Sequence, residues 1–485
     1  MNATTLFLLG GALGVLALLL TVLCCTAFFM GEMQLAGAFM YGALFTVFAA
    51  GLLIFGFAGS SNRMKRSDTT VLMLLIWTVL PIFAAIPFFV SGEYSSYVHA
   101  YFEAVSGLTT TGATTVEDLS ALGASTLIWR AALQGFGGAL TLLTAVLVLA
   151  PFDAATSPTN STIPGYEEGD LAKSILSSVR EILPIYLTIL GFALVLLWLA
   201  GLPGQDALIY AMTSVSTGGF TAGNEGLSAY DSQAAEIIIC VAMVLGATSF
   251  LAHRATMLRL PTGGHSDTRE TLIVVALLPV CTLALVLIMW LQEVSTAEAV
   301  RHSVFRAVSL LTTTGFDSAP ATFPVVPSVF VLALIAVGGA SFSTAGGIKL
   351  FRVSTMFVQA HREIKRLIHP HGISSAKAVG KSFDIQIMKS IWALFVVFLV
   401  STGAVALVLG LEGESHDVAI TAAVAALSNA GPALGMTLDA GGGPAEGYLN
   451  MSQVSLLSLC VGMILGKVEF LTLLGLAGWW WHSLK

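Results

Sequence analysis

Long apolar runs, separated by short polar breaks, fill most of this chain. Ten runs, at roughly 5–29, 35–58, 70–91, 126–150, 183–201, 233–253, 271–292, 326–351, 387–411 and 452–480, are long enough to cross a hydrocarbon core of about 30 Å. Shorter semi-apolar pieces lie near 97–109, 205–216, 297–312 and 416–428. They are too short to span and predict re-entrant half-helices. The alternating pattern of a transmembrane barrel, in segments of about ten residues, is absent. The first run has no basic leader and is too long for the apolar part of a signal peptide, so it reads as a transmembrane helix.

A polar, glycine-bearing stretch follows each half-helix: "SGLTTTGATT" (106–115), "SVSTGGFTAG" (214–223), "SLLTTTGFDS" (309–318) and "ALSNAGPALG" (426–435). Taking Gly112, Gly218, Gly315 and Gly431 as equivalent, the spacings are 106, 97 and 116 residues. A unit of full helix, half-helix, loop and full helix therefore recurs four times. The closing helix of each unit also carries a small-residue patch: "GFGGAL" (135–140), "LGATSF" (245–250), "VGGASF" (337–342) and "VGMILG" (461–466). The fold class read from this pattern is an all-α polytopic membrane protein. Its four pseudo-symmetric helix–half-helix–loop–helix repeats surround a central pore, with two extra N-terminal transmembrane helices. The expected boundaries are 1–66 for the N-terminal pair and 67–170, 171–265, 266–382 and 383–485 for the repeats.

Non-helical backbone at membrane depth persists only where protein buries it or it lines a cavity. Four such loops around one axis can offer backbone carbonyls in place of a monovalent cation's hydration shell. Glycine permits the φ > 0 dihedrals this needs, and each half-helix turns its negative dipole end towards the ion. "GGASFSTAGGIK" (338–349) is a poor helix, with four glycines, two serines and a threonine in twelve residues. It is expected to break and fold into the cavity below the loops.

Composition agrees: of 485 residues, 56% are hydrophobic and 10% charged, against about a quarter charged in soluble domains. With the N-terminus cytoplasmic, only Arg130, Arg301 and Arg306 of the 21 Lys and Arg fall outside, a strong positive-inside bias. The long basic segment 351–381 reads as a cytoplasmic loop. Glu93, Glu117, Asp118, Glu225, Asp317, Glu412, Glu414, Asp417 and Asp439 fall outside, where acids concentrate cations. The five cysteines lie in apolar runs without metal spacing, and the histidines form no metal pattern. "GMILGKV" (462–468) has the wrong glycine spacing for a phosphate loop. The chain is not expected to be an enzyme.

"LTTTGA", "VSTGGF", "LTTTGF" and "LSNAGP", taken with "GGASFSTAGGIK", resemble the Trk/Ktr/HKT superfamily of potassium transporters over residues 70–480. The two extra N-terminal helices resemble the TrkH-type bacterial membrane subunits of that superfamily. The resemblance implies potassium uptake through a selectivity filter in a bacterial inner membrane, with both termini cytoplasmic; the alternative is a sodium- or proton-coupled symporter of the same fold. It implies a homodimer and a cytosolic TrkA-like nucleotide-binding ring. No cofactor is expected in this chain and no nucleic acid partner; nucleotide would act only through the ring. By position, K+ would meet the backbone carbonyls of Thr110, Thr111 and Gly112; Ser216, Thr217 and Gly218; Thr313, Thr314 and Gly315; and Asn429, Ala430 and Gly431. The gate would comprise Gly338, Gly339, Ser341, Ser343, Thr344, Gly346 and Gly347, with Lys467 where similar transporters place an arginine. A buried cation there is an electrostatic barrier; lysine keeps the charge without the planar fork of arginine. Glu117, Asp118, Glu225, Asp317 and Asp439 would line an outer vestibule.

Overall fold

The computed structural model describes residues 2–59, 66–156, 171–257, 265–320, 323–369, 377–378, 381–382, 385–438 and 447–468. Helices α1 (Ala3–Phe29) and α2 (Met33–Gly56) form an antiparallel pair. The first unit is α3 (Arg66–Val90), the half-helix α4 (Tyr97–Leu108) and α5 (Ala124–Thr156). The second is α6 (Leu171–Leu199), the half-helix α7 (Gly204–Val215) and the pair α8 (Gln233–Ala247) and α9 (Phe250–Met257). The third is α10 (His265–Leu291), the half-helix α11 (Thr296–Leu311), α12 (Ser328–Val337) and α13 (Leu350–Ile368). The fourth is α14 (Ile385–Leu411), the half-helix α15 (His416–Leu427) and α16 (Gln453–Val468).

Packing closes the units into a ring. One apolar cluster joins α1 to α5 with α14 to α16, so the fourth unit seals against the first. A second gathers α6 to α9, and a third joins α10 to α12 with α15. The half-helices lie at the centre: every residue from Phe102 to Leu108 and from Ala422 to Leu427 is buried. The outer helices turn large apolar side chains outward, among them Phe55, Leu199, Leu283 and Val400. A folded chain exposes such a surface when lipid is its solvent.

Six described helices, α1, α2, α3, α6, α10 and α14, are each apolar enough over at least 18 residues to span unaided. The run at 126–150 is the single helix α5, and the run at 452–480 is helical through Val468, with residues 469–480 outside the described part. The runs at 233–253 and 326–351 are not single helices. The first bends by 101° between α8 and α9, and the second leaves the helix at Gly338 and re-enters it at Leu350. Two other differences are longer-range. Helix α6 starts twelve residues before the apolar run that signalled it. Residues 352–368, expected within the cytoplasmic loop 351–381, are helical and belong to the amphipathic helix α13.

Candidate functional site

All four half-helices end in the same turn. The amides of Thr111, Gly218, Thr314 and Ala430 donate to the carbonyls of Ser106, Thr213, Ser309 and Ala425, at 2.8, 2.7, 2.9 and 2.8 Å. The residues just before, Thr110, Thr217, Thr313 and Asn429, have φ of 54°, 53°, 59° and 51° and donate to the carbonyl three residues back. This is the Schellman cap, which usually places glycine at the left-handed position. Here three of the four are threonine, whose branched side chain makes φ > 0 an outlier and costs about 1–3 kcal/mol each. Two residues later Gly112, Gly219 and Gly315 take φ of 80°, 84° and 81°. Gly431 instead opens a 3-10 turn, Gly431–Thr437, with Pro432 behind it.

That pattern corrects the register of the second loop. Its left-handed residue is Thr217 and its strained glycine is Gly219, so Gly218 matches Thr111 and Thr314 rather than Gly112. "STGG" offers two glycines to one slot, and only backbone geometry selects between them.

The loops touch in a ring. A Cβ on Gly112 would collide with the Gly218 carbonyl oxygen, one on Gly219 with the Thr314 oxygen, and one on Gly431 with the Ala113 backbone. A Cβ on Gly315 would stand 3.0 Å from the Ala433 nitrogen. The Gly431 amide also donates to the Thr111 carbonyl at 2.7 Å. Two side chains brace the ring: Gln134 on α5 donates to the Gly218 carbonyl at 2.7 Å and accepts from the Phe220 amide at 3.2 Å. The Tyr448 hydroxyl donates to the Gly431 carbonyl at 3.0 Å.

Two of the four left-handed side chains bond to the segment between α12 and α13. The Thr313 hydroxyl accepts from the Gly346 amide at 2.7 Å, and Thr217 meets the Thr344 hydroxyl at 3.4 Å. The Thr110 hydroxyl accepts from Lys467 Nζ at 2.7 Å, and Lys467 also donates to the Thr344 carbonyl at 3.2 Å. Asn429 donates to the Thr111 hydroxyl and the Met463 carbonyl, both at 3.0 Å. Residues 338–349 are pinned from the other units as well. The Gly347 amide donates to the Ser428 carbonyl at 3.1 Å, Thr344 to the Gly246 carbonyl at 3.0 Å and Ala340 to the Ala247 carbonyl at 2.9 Å. The bend after α8 frees those last two acceptors, since a helix C-terminus leaves its final carbonyls unpaired. Beside the segment, a cavity of about 30 Å³ lined by Thr141, Ser343, Lys349, Asn429 and Lys467 has room for water but not for a hydrated cation.

Two of the outer acids have protein partners. Asp317 forms an ion pair with Arg306 at 2.6 Å, and Arg306 also donates to the Pro324 carbonyl. Asp118 accepts from Asn224 at 2.7 Å, linking the first and second units. The Ser120 hydroxyl and the Asn224 amide hold the Asp118 carboxyl below the usual range. Glu117 and Glu225 are exposed, while Asp439 lies outside the described residues. Arg130, expected on the outer side, is buried against Glu103 at 2.7 Å and stacks on Phe220 at 4.1 Å.

Sequence reasoning passed over Gly219, Gln134, Thr109, Thr312 and Glu270. Gln134 carried a usable signal, as a polar residue inside an apolar span. Thr109 and Thr312 open the TTTG strings, and their hydroxyls meet those of Thr111 and Thr314 at 2.7 and 2.8 Å. Glu270 accepts from the Ser341 amide at 2.8 Å, a contact no local pattern reveals.

Comparison with known proteins agrees with this architecture. A potassium transporter TrkH from Vibrio parahaemolyticus, known from its crystal structure, superposes with a TM-score of 0.83 at 26% identity, over 98% of each chain. Trk system potassium uptake protein TrkH of Halomonas elongata is 29% identical over 445 residues, 90% of each chain. The TrkH of Salmonella typhimurium is 29% identical over 432 residues, 85% of each. Relatives that are transporters accord with the expectation of a non-enzyme. The TrkH family model, described as a cation transport protein, matches residues 35–478. With the whole ring and the segment beneath it inside that match, the chain belongs to the TrkH family of cation transport proteins.

Proposed function

We propose that this chain is a potassium uptake pore of a bacterial inner membrane, with both termini cytoplasmic. Its filter is formed by the backbone of residues 110–112, 217–219, 313–315 and 429–431, and its gate by residues 338–349 with Lys467. The observation that carries this reading is the ring itself. Four half-helices end in one turn, with their buried loops in mutual contact. Such a ring presents to a dehydrated cation the carbonyl oxygens other than those of Thr111, Gly218 and Gly431, which already accept from Gly431, Gln134 and Tyr448. The relatives' names as potassium uptake proteins support potassium as that cation.

The gate occupies the face of the ring on which Lys467 lies, and its charge opposes cation passage while the segment is in place. Opening withdraws 338–349 from the carbonyls of Gly246, Ala247 and Ser428. A homodimer and a cytosolic TrkA-like nucleotide-binding ring are part of the reading, supported by the Trk system naming of the relatives. The exposed basic end of α13, with Lys365 and Arg366, suits contact with such a ring.

The test is cation flux into liposomes holding the purified chain, with potassium, rubidium and sodium compared side by side. Saturable flux favouring potassium and rubidium is expected, larger when 338–349 is shortened. Equal flux of all three ions would remove the filter assignment. Flux that vanishes without a sodium or proton gradient would replace the pore with a coupled symporter.

A further inference from the structure

The two ends of the segment 338–349 are tied by backbone bonds, from the Leu350 amide to the Gly339 carbonyl at 3.0 Å and from the Ile348 amide to the Ala336 carbonyl at 2.9 Å, and a single carboxylate adds the side-chain tie between them. Glu270 lies on α10 and is 3% exposed. Its Oε1 accepts from the Ser341 amide at 2.8 Å, the Ser341 hydroxyl at 3.0 Å and the Phe351 amide at 3.2 Å. Ser341 stands where the chain leaves α12, and Phe351 is the second residue of α13.

Phe351 is where a helix needs an acceptor. The first amides of a helix have no partner within it, and a side chain at the N-cap usually supplies one. The N-cap of α13 is Lys349, at φ 79°, with no side-chain cap bond. A lysine cannot accept, and its positive charge opposes the helix dipole. No acid stands in the first turn of α13. Lys349 Nζ turns back to the Ala345 and Ser343 carbonyls inside the segment. The Leu350 amide finds its acceptor in the Gly339 carbonyl, whereas the Phe351 amide takes its acceptor from another helix, and the same oxygen holds Ser341 on the α12 side of the segment.

We infer that Glu270 is the positioning residue that keeps this segment closed, by stapling Ser341, within the segment, to the start of α13 and capping α13 in trans. The inference rests on the reading of 338–349 as the gate. Withdrawal of the segment must separate Ser341 from Phe351 or carry both off Glu270, and either movement breaks charge-assisted bonds in a buried site.

The experiment compares rubidium flux through the full chain in liposomes with Glu270→Ala, Glu270→Gln, Ser341→Ala and a chain shortened between Gly338 and Gly347. Glu270→Ala removes the acceptor of three bonds and is expected to raise flux by at least about tenfold, the weight of a single bond to a charged acceptor in a two-state balance. Glu270→Gln, which keeps the accepting oxygen without the charge, falls between, and Ser341→Ala gives a smaller rise. A second readout uses Ala345→Cys in a background without the five native cysteines. A membrane-impermeant thiol reagent added on the cytoplasmic side should label it faster once Glu270 is alanine. Should the shortened chain conduct faster while Glu270→Ala stays at or below the parent rate, the staple is wrong and the gate stands. If neither rises, the gate reading falls and takes the staple with it. If Glu270→Ala does not fold, an unchanged Ser341→Ala overturns the proposal by itself.

Discussion

The first and third units both contain Leu-Thr-Thr-Thr-Gly, and their loops fold alike down to the hydroxyl pairs Thr109–Thr111 and Thr312–Thr314. The helices that follow differ completely. In the first unit α5 runs unbroken for 33 residues, and a Cβ on its Gly137 would collide with the carbonyl of Leu108, the last residue of its own half-helix. Gly246 and Gly466 stand in the same relation to Val215 and Leu427. The third unit departs from this rule. Its chain breaks after Val337, and its Gly346 packs instead against Ser428 of the fourth unit. Identical filter strings thus sit on one rigid support and one that has been pulled away. On the proposed reading, the helix behind the loop is what distinguishes a wall from a gate.

The largest expected effect comes from the ring glycines. Gly112→Ser puts a Cβ onto a neighbouring carbonyl, an overpacking of about 3 kcal/mol, and should abolish preference for potassium over sodium in paired flux measurements. Gly315→Ser meets looser contacts at 3.0 Å and should retain part of it. Equal losses would mean that the two loops bear equal load. Next comes the support. Removing two residues between Gly338 and Gly347 should raise flux about tenfold by releasing bonds of the usual net strength. The same deletion between Gly135 and Leu140 should give no conducting protein, and a conducting one would end the distinction drawn here. Lys467→Ala removes two donors and the buried charge, and should raise flux about fivefold, read in the same assay. Smallest is Thr313→Val, which removes the acceptor for Gly346 at a cost to the closed form of about 1 kcal/mol. It should raise flux more than Ser216→Ala, whose hydroxyl bonds only to its own half-helix.

Much of this was legible in the chain. The half-helices announced themselves as apolar pieces too short to span, and all four appear within about two residues of expectation, the usual scatter of helix ends. The break at 338–349 was written in its glycines. The register at "STGG" was not, because both glycines satisfy the string and only contact with Thr314 and Pro432 selects Gly219. The bend after Ala247 was also hidden: "LGATSF" holds one glycine, and the bend is stabilised by distant groups, with the Ala247 carbonyl taken by Ala340 and the Phe250 amide by Phe342. The partners of the outer acids were hidden too. The sequence does not reveal that Asp317 pairs with Arg306, which stands seven residues before Thr313 just as Glu103 stands seven before Thr110. Local patterns report what a segment can become; partners far along the chain decide what it does become.

Because the ring is closed by four different stretches of one chain, it can be altered a quarter at a time. In a channel assembled from identical subunits, every substitution in the filter is made four times at once, and its effect is multiplied accordingly. Here the loop with Asn429 and Pro432 already departs from the other three without undoing their turns. Ion preference in such a protein can therefore drift in small inherited steps. One quarter can explore new chemistry while the other three preserve the old.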